Sequence, residues 1–191
     1  MSGPRLWLVR HARPLVAPGL CYGRLDMPAD AQASRAAAAA LAQALPPTVA
    51  QVWHSPLQRC ELLALELQAL RPDLASSPEP RIAEMDFGAW EGQAWNAIAR
   101  AEIDAWAANL ADHAPGGGEP LAAMLARVDM ALRDAACDRG GDMVWITHAG
   151  VARCVQWLLA HGAAHAPRSP EWSMAAPGFG AWMTVALPLP A

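Results

Sequence analysis

Three short runs in this chain are apolar without alternation and end in a charge or an imidazole: Arg5-Leu-Trp-Leu-Val-Arg10, Val49-Ala-Gln-Val-Trp-His54 and Asp142-Met-Val-Trp-Ile-Thr-His148. Runs of this length without a period of two suit parallel strands buried on both faces better than strands with one wet face. Helical patterns follow them. Ser55-Pro56-Leu57-Gln58 reads as a capping box with proline at the first helical position, which predicts Ser55 as the N-cap of a helix carrying Leu63, Leu67 and Leu70 on one face. Ala149 to Ala160 repeats the pattern with Val151, Val155, Leu158 and Leu159. Further helices are predicted at 30–45, 93–111 and from Pro120 to Ala136, the last with Leu121, Met124, Leu125, Val128 and Leu132 at a period of 3.6. A closing strand is expected over Ala181 to Leu187, and two long loops over 112–119 and 161–178.

Strands alternating with helices predict an α/β fold, a three-layer α/β/α sandwich with a mostly parallel sheet. The 191 residues suit a single domain spanning 1–191. In such sheets ligands bind beyond the carboxyl ends of the strands. Arg10-His11, Ser55 to Arg59 and Thr147-His148 thereby become the segments of interest before any motif is considered.

Composition narrows the chemistry. All fourteen basic residues are arginine, with no lysine anywhere. A Schiff-base mechanism and a lysine-bearing phosphate loop are therefore excluded. A net charge of −4 and a pI near 5.8 argue against nucleic acid as the main partner. The four cysteines, Cys21, Cys60, Cys137 and Cys154, are far apart and read as reduced structural thiols. No signal-like leader and no run of about 18 apolar residues occurs, so a cytoplasmic protein with no membrane partner is expected.

With Ser55 as N-cap, Arg59 falls in the first turn of its helix, where free N–H groups and the dipole favour an anion. Arg10 can converge on it from the neighbouring strand end, giving an anion pocket built of two bidentate guanidiniums. His11 and His148 complete the set. A single strand-end histidine is more often a packed residue than a catalyst, but two beside two arginines point to a nucleophile and a proton carrier. A metal site is the competing reading, disfavoured by the arginines that would crowd the cation.

These residues resemble the signatures of the histidine phosphatase superfamily, the phosphoglycerate mutase-like proteins. Leu8-Val9-Arg10-His11-Ala12 is similar to the segment with the nucleophilic histidine, Ser55-Pro56-Leu57-Gln58-Arg59 to that with the second arginine, and Glu84 to Gly92 to that with the acid. Pro115 to Glu119 resembles the glycine-rich loop, and Thr147 to Arg153 the segment with the second histidine. The resemblance implies a phosphoglycerate mutase-like fold and a phosphomonoester hydrolase working through a phosphohistidine. His11 is then the nucleophile, Arg10, Arg59 and a protonated His148 hold the phosphoryl oxygens, and Glu84 protonates the leaving alcohol. No metal and no cofactor are implied, and a small phosphorylated metabolite is the expected partner, with room for a homodimer. His11 must be neutral, with its second nitrogen donating to a backbone carbonyl, and Glu84 must be held protonated by partial burial.

Other residues receive simpler readings. Glu91 is the rival acid but is expected as a charge in the first turn of the next helix. Trp7, Trp53 and Trp145 belong to the core, and Trp90 and Trp95 either line a pocket or pack. His54, His113, His161 and His165 are expected at the surface or in loops. Two departures stand out from the family pattern: Ala12 replaces the glycine after the nucleophile, and Pro120 replaces the serine after Glu119, which weakens Glu119 as a site residue.

Gly19 to Pro28 resembles the alpha-ribazole phosphatases of cobalamin biosynthesis, and alpha-ribazole 5′-phosphate is the expected substrate. A phosphoglycerate mutase or a broad-specificity sugar phosphatase is the nearest alternative. A non-catalytic phosphate-binding module is the alternative of another class, and it has no use for an acid at Glu84.

Overall fold

The computed structural model describes residues 3–137 and 140–187. Five strands form one sheet in the order β3-β2-β4-β1-β5, with β1 at Arg5–Arg10, β2 at Val49–His54, β3 at Ser76–Pro78, β4 at Asp142–Thr147 and β5 at Trp182–Ala186. Four strands run parallel, and β5 closes the sheet antiparallel to β1, pairing Leu6 with Val185 and Leu8 with Met183. The helices are α1 at Ala31–Ala44, α2 at Gln58–Leu70, α3 at Arg100–Ala108, α4 at Leu121–Cys137 and α5 at Ala149–His161.

Side-chain alternation divides each buried strand between two cores. Leu6, Leu8, Met143 and Trp145 pack with α4 and α5 on one face, whereas Trp7, Val9, Val144 and Ile146 pack with α1 and α2 on the other. Every residue of β4 is buried, as expected of a central parallel strand covered by helices on both sides. This is the predicted three-layer α/β/α sandwich with a mostly parallel sheet.

Three local expectations are corrected. The strand at Ser76–Pro78 is an addition, a three-residue edge paired with Val52 to His54 and without an apolar signature. The helix expected over 93–111 is shorter: a single 3₁₀ turn at Trp95–Ala97 precedes α3, because Ile98 and Ala99 stay outside helical geometry. Ser55 is not the N-cap of α2. Leu57 holds an extended backbone in that role, and the carboxylate of Asp26, remote in sequence, accepts from the Gln58 N–H at 2.8 Å. An acceptor from another loop here takes the place of a local cap.

No helix among the described residues is long and apolar enough to cross a membrane.

Candidate active site

The carboxyl ends of β1, β2 and β4 meet at one place. The ladder continues past the strands, with the His11 N–H donating to the Thr147 carbonyl at 3.0 Å and the Ser55 N–H to the Ile146 carbonyl at 2.9 Å. His148 caps the N-terminus of α5. The rings of His11 and His148 lie 5.1 Å apart between centroids, so the two sequence-predicted histidines share one pocket.

His11 is buried and its Nδ1 lies 2.7 Å from the carbonyl of Ala12. Donation there leaves Nε2 with its lone pair and no hydrogen-bond partner among the described residues. Burial, reinforced by the positive charges of Arg59 and Arg10, pushes the imidazole down to about 3, while the bond to Ala12 opposes the shift. The ring is therefore neutral at physiological pH, the form that nucleophilic attack requires. Ala12 in place of glycine requires no special backbone, since no non-glycine residue described has a positive φ.

His148 corrects an expectation. It is fully buried, and burial together with Arg59 lowers its pKa well below the ordinary value, so the ring is neutral in the unliganded protein. Its Nε2 faces Ser55 Oγ at 2.9 Å and Cys60 Sγ at 3.5 Å, and its Nδ1 is buried without a hydrogen-bond partner among the described residues.

Arg59 is completely buried in the first turn of α2. Its two Nη groups already donate to the carbonyls of Leu25, at 2.9 Å, and Gly23. The expected bidentate fork is thus partly committed to the 22–27 loop, and Nε is buried without a partner among the described residues. Arg10 donates from Nη1 to the Pro177 carbonyl at 3.2 Å, lies 3.9 Å above the Phe179 ring, and likewise keeps an unpartnered, buried Nε. Tyr22 borders both guanidiniums. Buried polar atoms are almost always paired. Here unpaired nitrogens remain on Arg10, Arg59 and His148, the two charges that act on His11 and the ring beside it, a set suited to an anion with several acceptor oxygens.

Glu84 reaches the same site from another segment. Its carboxylate accepts the Gly150 N–H in the first turn of α5 and its neighbour's Met85 N–H, each at 3.1 Å. The backbone beneath it is clamped twice. Thr147 Oγ1 donates to the Ile82 carbonyl at 2.6 Å, and Arg127 donates to the carbonyls of Arg81, Ala83 and Glu84. Glu119 is the other end of that clamp, paired through both oxygens with Arg127 at 2.7 and 2.8 Å. Arg127 carries no sequence signal of this role, because it acts on backbone carbonyls of residues 81–84, more than forty positions away.

The glycine-rich loop packs against this segment. The Glu119 N–H donates to the Asp86 carbonyl at 2.7 Å, and Gly116, at φ 58°, has backbone of residues 87–90 where a side chain would stand. Glu91 is likewise a staple rather than a helix-turn charge. Its carboxylate accepts the N–H groups of Phe87, Arg24 and Leu25, tying the Glu84 segment to the loop that Arg59 holds.

The remaining readings divide. Trp90 is buried and its Nε1 donates to Glu102 at 2.7 Å, within a cluster of Phe87, Trp95 and Trp106. His54 is not a surface residue: it ends β2 buried, and burial lowers its pKa. Among the described residues no group of three His, Cys, Asp or Glu side chains is placed to hold a metal ion.

Fold and site together define an α/β protein with a neutral imidazole beside two guanidiniums at the carboxyl ends of its parallel strands. Residues 6–176 match the model of the histidine phosphatase superfamily, branch 1, and the chain belongs to that family, which makes it a phosphatase-type hydrolase. Among solved structures, mycobacterial hydrolase 2 superposes with a TM-score of 0.80 at 23% identity, covering 96% of this chain and 82% of that one. The mycobacterial glucosyl-3-phosphoglycerate phosphatase gives 0.78 at 23% identity, covering 95% and 89%. TTHB049 from Thermus thermophilus gives 0.72 at 27% identity, covering 97% and 95%. No curated protein sequence gives a significant match.

Proposed function

We propose that the protein hydrolyses phosphomonoesters through a phosphohistidine on His11. The observation that carries this reading is a neutral His11 whose Nδ1 is spent on the Ala12 carbonyl, with the charges of Arg10 and Arg59 acting on it and the His148 ring beside it, each of those three residues keeping an unpaired buried nitrogen. In the first step Nε2 bonds to phosphorus as the bond to the ester oxygen breaks. That electron pair leaves with the alcohol, which takes a proton from Glu84. In the second step water attacks the phosphohistidine, its hydroxyl going to phosphorus and its proton to Glu84, while the N–P electron pair returns to His11. Charge spread over the three equatorial oxygens in each step is met by the guanidiniums and the His148 N–H.

The proposed natural substrate is alpha-ribazole 5′-phosphate, a reading supported by the Gly19 to Pro28 segment. In the structure that segment borders the phosphate pocket through Tyr22 and is bound to Arg59.

The decisive experiment is a rapid-quench trap with labelled substrate. The native enzyme should accumulate an acid-labile phosphoenzyme, His11→Ala none, and turnover of p-nitrophenyl phosphate should survive EDTA. A phosphoenzyme persisting in His11→Ala, or complete inactivation by EDTA, overturns the mechanism.

A further inference from the structure

Beside Glu84 lies a cavity of about 210 Å³. Its walls include Phe87, Trp106, Leu110, Leu121 and Met124, with Arg153 as the cation among the lining residues. Trp106 contributes a buried indole N–H that no described residue accepts. Arg153 lines the cavity and spends its Nε on the Met174 carbonyl at 3.0 Å.

We propose that this cavity receives the alcohol portion of the substrate and selects phosphomonoesters whose alcohol carries an aromatic or heteroaromatic ring. The proposal rests on Glu84 as the proton donor, since a group that protonates the ester oxygen must stand within hydrogen-bond reach of it. The alcohol then begins at Glu84, and the cavity that Glu84 borders is where it continues. A second cleft, about 380 Å³ and lined by Arg13, Leu20, Tyr22 and Phe179, does not include Glu84 and is excluded as the leaving-group site.

Wall chemistry decides the class. A polyol placed among leucine, methionine and aromatic faces would lose its hydrogen bonds to water and regain few. A flat ring fits those faces in offset or edge-on contact. The unpaired Trp106 N–H and the Arg153 guanidinium supply donors for a ring heteroatom, and Arg153 can also lie over a ring face. The volume is below the roughly 300–1,000 Å³ of sites for drug-sized ligands, so the cavity takes one ring system of the alcohol rather than the whole of a larger one.

The test compares kcat/KM for phenethyl phosphate and glycerol 1-phosphate, two esters of primary alcohols, with p-nitrophenyl phosphate as the common reference. At least a tenfold preference for phenethyl phosphate is expected. Turnover of p-nitrophenyl phosphate with glycerol 1-phosphate equal or better would overturn the ring subsite and leave the phosphatase reading intact. Turnover of none of the three would instead overturn the phosphatase reading itself. Leu110→Trp, which fills the cavity, should reduce the preference at least fivefold; an unchanged preference places the ring elsewhere and overturns the proposal.

Discussion

Ser55 Oγ stands 2.9 Å from His148 Nε2, which ties the protonation of that ring to the serine hydroxyl. The hydroxyl accepts the Leu57 N–H at 3.3 Å, and its own hydrogen can donate to Nε2. Burial pushes the Cys60 thiol up, so it stays protonated, and it points at the Thr147 carbonyl at 3.6 Å. A neutral His148 accepting at Nε2 holds its hydrogen on Nδ1, the ring nitrogen left without a partner among the described residues.

Ser55→Ala should therefore lower kcat by about 10–10², somewhat less than the roughly 10²–10³ for deleting a donor outright. Ser55→Thr should restore most of it. The tautomer is readable by nitrogen NMR of the His148 ring, which should shift toward the Nε2–H form in the alanine variant. A kcat within twofold of the native value would sink the assignment.

Gly150 is the point of contact between helix α5 and the acid. A Cβ there would overlap Glu84 Oε1, so Gly150→Ala should swing the carboxylate away while leaving the backbone of α5 in place. General-acid assistance contributes roughly 10²–10⁴ where the leaving group is poor. Alkyl phosphates should lose about 10² in kcat, and p-nitrophenyl phosphate, whose leaving group needs little protonation, under tenfold. Equal losses for both ester types would show that Glu84 is not the proton donor.

Acid should destabilise the fold in a defined window. Free imidazoles titrate near 6.5, whereas burial holds His11 at about 3 and lowers His148 and His54 in the same direction. Below pH 6.5 the unfolded chain takes up protons that the folded chain refuses, so stability falls with falling pH by roughly 1 kcal/mol per unit for each such group. For His11 the decline ends near pH 3, where the folded ring also protonates. Glu79, lowered chiefly by its hydrogen bond to Arg81, adds to the loss only below about pH 4.5. Urea midpoints should drop between pH 7 and pH 5, and less steeply in His11→Asn. A flat or rising midpoint over that range contradicts the buried neutral imidazoles.

Much of this molecule is readable from its apolar runs because the sheet is covered on both faces. The apolar centres of 5–10 and 142–147, and Val49 and Val52 in the second run, are buried, and the residues that follow these strands lie at the carboxyl edge of the sheet. Arg10, His11, Arg59 and His148 were legible on that ground, and Glu84 through motif likeness alone, since nothing in its own neighbourhood marks a bare glutamate as an acid. What escaped depends on partners far along the chain. Asp26 replaces Ser55 as the cap of α2 across a long stretch of sequence, Ser55 is thereby freed for His148, and Glu91 and Arg127 act on backbone groups from other loops. Ser76–Pro78 had no hydrophobic signature because a three-residue edge strand buries almost nothing.

Strand β4 lies between β2 and β1, and the N–H groups of Ser55 and His11 hang from the carbonyls of its last residues, Ile146 and Thr147. The proposed nucleophile, the group that tunes its partner and the partner itself are thus spaced by rungs of one peptide ladder rather than by side-chain contacts. Reactive distances in this enzyme are quantised by strand pairing: substitutions that merely soften the two cores should slow turnover little, whereas any slip of β4 against its neighbours would displace all three groups by a whole residue and end catalysis at once.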